Sequence, residues 1–452
     1  MNKMNIKIII KAGVIGVLIL LMLIPLAFVK GTVAGRLNYK NEAELKITSA
    51  WGSELYVAAP ILNVPYVSAV TKKVEGRQVT EYETSFYKYT PSSLDADVEI
   101  VPQIRQIGIF KVPVFTAKVK MKGSFSKPEV PLDSSVRLAP AGKAFVSLEI
   151  NSLKGVTDTP VIKWNGETRE FENALEGDAL NVSVQKVREG QGYYSEKTYR
   201  RYSDDYRLKM LYAPVASAGA SDFELDFSVR GSNSISFIPL AKDNTFKIAS
   251  AWPHPNFLGG FLPETREVSV KGFKAEWKVN NISSGIPAYL NGFGEDFPFV
   301  SVSLMFPVDN YRNSERAVKY GILFVALTFL ACFVFEIVNK TPVHPFQYIL
   351  VGTAMAVFYL LLLSISEFCG FGLSYIISAA ATIILVSAYI RYGILKKADK
   401  KVFGAAVGLG ALYAYLYVLL QLEDLSLFFG TLGLFFGVAL VMYATRNINW
   451  YE

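Results

Sequence analysis

Hydrophobic residues follow two rhythms along this chain. Between positions 320 and 443 they form five nearly unbroken runs of roughly 16 to 21 residues, parted by short polar breaks. A helix rises about 1.5 Å per residue, so about 20 residues cross a hydrocarbon core of about 30 Å. The pattern predicts spans at 320–338, 348–366, 373–390, 402–422 and 427–443. A further apolar run, 12–29, follows Lys3, Lys7 and Lys11. It is longer than the about 7–15 residues of a signal h-region, so it reads as an uncleaved anchor and a sixth span, although Thr32-Val33-Ala34 would suit a signal peptidase. Pro25, near its outer end, stands where a kink is tolerated.

Between the anchor and the later spans the rhythm is that of strands. Residues 107–121 are rich in β-branched side chains with local alternation. Shorter candidates lie at 145–150, 161–164, 180–187, 223–229 and 268–270, and Asn165-Gly166 is a hairpin-turn signal. Gly, Pro, Ser and Asn punctuate the block at short intervals, and long helical patterns are scarce. The expected fold is a multi-pass membrane protein: six transmembrane α-helices plus a large β-rich, sandwich-like domain, built as one antiparallel sandwich or two stacked lobes. The expected division is 1–30, an N-terminal anchor; 31–317, the β-rich domain; and 318–452, a five-helix membrane domain. A linker is expected within 173–221, where the strand pattern breaks.

Charge sets the expected orientation. The loop after the second span holds Lys340, that after the fourth holds Arg391, Lys396, Lys397, Lys400 and Lys401, and the tail holds Arg446. The alternate loops hold Glu367 and then Glu423 with Asp424. Basic short loops face the cytoplasm, so both termini are expected inside and the β-rich block outside. Lys30, Arg36 and Lys40 then lie on the outer side, which a long translocated domain permits. Trp450 and Tyr451 beside Arg446 read as an interfacial anchor.

Candidate chemistry is sparse. The two cysteines, Cys332 and Cys369, lie in the apolar region, so the β-rich block cannot form a disulfide. Two distant histidines, His254 and His344, make a zinc site an unpromising reading. No nucleophile elbow, HExxH, Walker loop or dinucleotide fingerprint is present, so neither a cofactor nor an enzyme is expected. The net charge of +7 fits anionic lipid rather than nucleic acid. Glu336, two residues from a span end, is the one candidate intramembrane carboxylate; snorkelling and a proton or ion relay are both open to it. Glu367 and Gln421 lie at span ends and read as interfacial. His344, before Pro345, reads as a cap or headgroup contact, with pH sensing as the alternative. Gly404, Gly408 and Gly410, then Gly430, Gly433 and Gly437, predict close helix packing.

In the outer block, six tyrosines between Tyr193 and Tyr212 alternate with Lys197, Arg200, Arg201, Arg207 and Lys209. They read as an amphipathic surface, or as a contact for a glycan, a lipid headgroup or a partner protein. Trp252-Pro253-His254-Pro255 predicts a rigid corner, since two prolines hold the backbone extended; a His254-based hydrolase is the sharper alternative.

That corner begins a resemblance. SAWPHPNFLGGFLP at 250–263 resembles the hallmark of the CreD family of inner-membrane proteins. Similarity continues through REVS at 266–269, GFKAEW at 272–277, DNY at 309–311, RAVKY at 316–320, ALTF at 326–329, FVFE at 333–336, HPFQY at 344–348, FYLLLL at 358–363 with SE at 366–367, and TRNINWY at 445–451. The resemblance implies a bacterial inner-membrane protein with a periplasmic domain, tied to cell-envelope integrity and the envelope stress response. It supplies no catalytic residue, but it draws interest to Glu336, His344, Gln347 and Glu367, beside Trp252 and His254. The expected function is non-enzymatic, with the periplasmic domain binding an envelope component or partner protein. A transporter or channel using Glu336, and a periplasmic envelope hydrolase, are the alternatives.

Overall fold

The computed structural model describes residues 3–74, 77–128, 136–138, 144–173, 181–189, 199–216, 219–290, 297–306, 310–339, 342–395, 400–422 and 426–446. The helices, in chain order, are α1 (Lys3–Leu21), α2 (Leu23–Trp51), the four-residue α3 (Asn281–Ser284), α4 (Asn310–Lys319), α5 (Gly321–Asn339), α6 (Pro345–Ser366), α7 (Phe371–Tyr389), α8 (Lys400–Gln421) and α9 (Ser426–Thr445). The chain divides into two compact units. One comprises residues 1–42 with 308–452, and the other comprises 43–307.

The helical unit is mostly apolar, with polar α4 and a polar second half of α2. Among the described residues, four helical stretches are long and apolar enough to cross a membrane: Gly13–Trp51, Pro345–Ser366, Phe371–Ile394 and Val402–Gln421. A fifth arises if Asn310–Lys319 and Gly321–Val334, bent by 49° at their junction, count together. The described apolar stretch of the last helix, Phe428–Ala439, is shorter. The anchor is interrupted only at Met22, between α1 and α2. Pro25 lacks the N–H that would reach back to Leu21, which accounts for the break at that turn. Thr32-Val33-Ala34 lies inside α2, which runs on from apolar into polar sequence. The helical unit therefore takes in residues to 42, beyond the expected limit at 30.

The other unit is a sandwich. Among the described residues, one sheet has eight strands, in the order 265–269, 272–280, 243–250, 93–107, 110–125, 221–232, 161–164 and 167–170. The second has 11 strands and runs from 255–259 at one edge, through 300–304, 234–238, 55–58 and 145–150, to 61–74 and 77–89. Most pairs are antiparallel. The exceptions are 55–58 with 235–238, and 243–250 with 93–100, both parallel. Period-2 patterning sets the faces: Leu94, Ala96, Val98 and Ile100 are buried, while Asp95, Asp97 and Glu99 between them are exposed. One continuous core draws on both sheets, with Phe237 and Phe246 at 5.6 Å and Phe257 and Trp277 at 5.6 Å. A single sandwich, not two lobes, is the outcome.

Its solvent face is a charge ladder that fixes the register. Asp95, Lys122 and Glu224 stand opposite one another on three strands, as do Asp97, Lys120 and Asp226. Lys122 Nζ lies 2.8 Å from Glu224 Oε1. That hydrogen bond holds the Glu224 carboxyl below its usual range and the Lys122 ammonium above its own. At the turn between 161–164 and 167–170, Asn165 (φ 49°) and Gly166 (φ 86°) both take left-handed backbone, as a type I′ hairpin requires. The Asn165 side chain also ties that turn to Ser221 Oγ (3.1 Å) and to the backbone N–H of Asp222 (3.0 Å).

Where the expected linker within 173–221 is described, it is chiefly strand. Asn181–Glu189 pairs with Tyr199–Arg207 as a separate ribbon, and Lys209–Pro214 returns to the 11-stranded sheet against 145–150. Tyr193, Tyr194 and Lys197 fall outside the described residues, as do Lys340, Lys396, Lys397, Glu423, Asp424, Trp450 and Tyr451.

Candidate functional site

The helical unit carries two polar clusters, one at each end of α6. His344 is the N-cap of α6. Its Nδ1 accepts from the Phe346 N–H at 3.2 Å, and Gln347 Oε1 accepts from the His344 N–H at 2.9 Å. This is a capping box with Pro345 at the first helical position, so both donors are satisfied at a helix start. The acceptor role requires Nδ1 without a proton.

Glu336, near the end of α5, joins this cluster. Lys11 of α1 forms an ion pair with Glu336 Oε1 and donates to the Val343 carbonyl at 2.7 Å. The Tyr348 hydroxyl donates to Glu336 Oε2 at 3.1 Å. Three helices thus meet on one carboxylate that is 12% exposed.

The second cluster surrounds Glu367, the C-cap of α6, which is 6% exposed. Arg36 of α2 donates from Nε to Glu367 Oε1 at 3.2 Å, and the Tyr311 hydroxyl of α4 donates to the same oxygen at 3.2 Å. Asn310 Nδ2 donates to the Ser366 carbonyl at 2.6 Å. Lys40 stands 5.9 Å from the Tyr311 ring centroid.

One electrostatic rule explains both clusters. Glu336 and Glu367 sit at helix C-terminal ends, where the macrodipole disfavours negative charge. A low-dielectric surround raises the cost of an unpaired carboxylate further. Each is compensated by a cation from the N-terminal helices. Lys11 and Arg36 are about 37 Å apart along a helix at about 1.5 Å per residue. That distance exceeds a hydrocarbon core of about 30 Å and fits within the about 40–45 Å that includes the headgroups.

A cavity of about 800 Å³ lies among α5, α6, α7, α8 and α9, lined chiefly by apolar side chains, with Gln347 and Tyr348 on its wall. The glycines bear on it in an unexpected way. A Cβ built at Gly404, Gly408, Gly410 or Gly430 would meet nothing within 4 Å. Gly437 packs against Leu327, whose Cδ2 would lie 2.8 Å from such a Cβ. Gly433 packs directly under the Tyr415 hydroxyl, and close approaches also involve Gly352, where a Cβ would lie 2.5 Å from Met22 Sδ, and Gly321, where it would lie 2.9 Å from Leu26 Cδ2. Small residues thus seat the N-terminal helices, while those of α8 leave open space.

In the sandwich, Trp252 is buried and its Nε1 donates to the carbonyls of His254 and Met305, each at 3.1 Å. Pro255 opens the strand that pairs with 300–304. The His254 imidazole is exposed at this corner. The structure therefore brings Glu336, His344 and Gln347 together, sets Glu367 at the other end of α6, and places Trp252 and His254 in the other unit. Among the described residues, no group of three His, Cys, Asp or Glu side chains is placed to hold a metal. Sequence reasoning missed Lys11, Arg36, Tyr311 and Tyr348; the signal was an acid and a base at matching depths of different apolar segments.

Comparisons with known proteins bear on the whole chain. Among solved structures, an M1 zinc metallopeptidase from Deinococcus radiodurans aligns over 80% of this chain and 93% of its own, at 8% identity and a TM-score of 0.22, too low to carry an argument. Inner membrane protein CreD of Escherichia coli (strain K12) is 29% identical over 439 residues, covering 96% of this chain and 91% of that protein. The family model described as Inner membrane protein CreD matches residues 7–451. With its apolar helices and near-complete match, the chain belongs to the CreD family of inner-membrane proteins.

Proposed function

We propose that this protein is a non-enzymatic support of cell-envelope integrity and of the envelope stress response. Its helices form a fixed base in the inner membrane, and its sandwich, on the periplasmic side, binds an envelope component or a partner protein. The observation that carries this reading is the use made of Glu336 and Glu367: both are spent on tying the N-terminal helices to the rest of the bundle. A carboxylate held by Lys11 and Tyr348, beside a largely apolar cavity, suits a brace better than an ion path.

The binding face is on the sandwich. Leu258, Leu262, Val268 and Val270 are exposed on or beside two edge strands, Pro255–Gly259 and Thr265–Ser269. Edge strands offer unpaired backbone groups to a partner, and exposed apolar side chains add affinity. The two clusters are consistent with the proposed orientation. Lys11 and the start of α6 share one end of the helical unit, and Arg36 and the end of α6 share the other, in agreement with the alternation of basic and acidic loops.

The test is genetic. Deleting the gene should raise uptake of a membrane-excluded dye under envelope stress, and the wild-type chain should reverse it. The Val268→Asp, Val270→Asp double variant, made at wild-type level, should not. Unchanged dye uptake on deletion, or full rescue by the double variant, would overturn the proposal.

A further inference from the structure

The cavity in the helical unit lies toward one end of it. On α6 it is lined by Gln347, Tyr348 and Val351, which belong to the first two turns, and on α8 by one face from Gly404 to Tyr415. At α7 it reaches past the helix end to Ile394. The lining on α6, on α7 and at the start of α8 lies toward the end that carries Lys11 and His344, and on α5, α8 and α9 it reaches inward to Leu327, Tyr415 and Gly433. In the threading proposed above, that end is cytoplasmic, so the cavity begins at the level of the inner leaflet and extends toward the bilayer midplane.

Two features distinguish it from a packing defect. Gly404 and Gly408 line it, and neither has a neighbour within 4 Å of where a Cβ would stand, so the helix surface is cut back where the space opens. Its volume falls in the range of about 300–1,000 Å³ typical of sites for one small ligand. The described charge next to it is cationic. Arg391 is exposed beside Ile390 and Ile394 of the lining. An apolar void at acyl-chain depth beside an exposed guanidinium at headgroup depth matches one kind of molecule.

We propose that this cavity binds an anionic glycerophospholipid of the inner leaflet, with one acyl chain in the space opened by Gly404 and Gly408 and its phosphate at Arg391. The inference rests on the proposed threading but not on the envelope role. Binding is measurable on purified protein whatever the deletion phenotype.

The experiment uses the full chain in nanodiscs containing either phosphatidylglycerol or phosphatidylcholine with a photoactivatable group on the acyl chain. The wild type should crosslink phosphatidylglycerol at peptides of α5 or α8, at close to one lipid per chain, and favour it over phosphatidylcholine. Gly408→Leu fills the space and raises helix propensity, so the helix should persist while crosslinking falls. Gly410→Leu, on the same helix but away from the lining, serves as the control and should keep it. Arg391→Gln should leave the acyl-chain crosslink in place and reduce the headgroup preference by roughly fivefold. Equal labelling of wild type and Gly408→Leu, or equal labelling by the two lipids, would overturn the proposal and mark the crosslinked lipid as ordinary bilayer.

Discussion

Removing the ammonium of Lys11 leaves the Glu336 carboxylate facing apolar side chains at a helix C-terminus. Breaking a fully buried pair costs about 3–5 kcal/mol. Lys11 keeps 24% side-chain exposure, so Lys11→Met should cost less, roughly 1–3 kcal/mol. The reciprocal Lys11→Glu, Glu336→Lys pair should recover much of that loss in detergent thermal unfolding, and a double-mutant cycle should return a favourable coupling. Additive single losses would remove Glu336 from the role of a brace. His344→Ala should cost about 0.5–2 kcal/mol as a lost cap, and His344→Asn, which retains an acceptor, should cost less. In the sandwich, burial, then the charges of Tyr87 and Tyr289, raise the Tyr89 phenol above its usual range. Its contribution to stability is complete below the unfolded value of about 10 and is lost as pH rises through the higher folded value. Alkaline titration of the whole protein should therefore weaken the sandwich above pH about 10, and Tyr89→Phe should flatten that part of the profile.

At the scale of elements, turns and strand faces were legible and helix partners were not. Asn165-Gly166 declares its turn because few residues accept positive φ at both positions; Gly166→Val should destabilise the protein by roughly 1–2 kcal/mol. The alternation at Phe223 to Val229 declares a half-buried strand for the same local reason. Helix packing depends instead on which surfaces meet, and glycine spacing carries no partner label. Gly404 and Gly408 of α8 therefore read as packing residues yet border a void, while Gly352, without a repeating partner, receives Met22. Gly352→Leu should unseat the N-terminal helix at a cost of roughly 1–3 kcal/mol, and Gly404→Leu should not. Within 173–221 the ribbon of 181–189 with 199–207 was not legible either, because the charged residues there break the apolar alternation that marks a strand in the sequence.

For the whole molecule, charge along the sequence and charge in space agree. The alternation of basic and acidic loops assigns each helix end to a side, and the two ion pairs join ends assigned to the same side: Lys11 with Glu336, and Arg36 with Glu367. Lys30, Arg36 and Lys40 looked misplaced by the charge rule alone. Arg36 has a structural use there, as the partner of a helix C-cap. What the sequence could not convey is the cavity, because its walls come from five helices.

The most direct test of the threading on which this account rests is side-specific labelling in a variant whose two native cysteines are replaced by serine. Single cysteines would be placed at Val270, which is 91% exposed in the sandwich, and at Tyr392, which is 70% exposed in the basic segment after α7. With the outer membrane permeabilised and the inner membrane intact, a membrane-impermeant maleimide should label Val270→Cys at once and Tyr392→Cys only after lysis. Labelling of Tyr392→Cys before lysis, with Val270→Cys protected, would contradict the account.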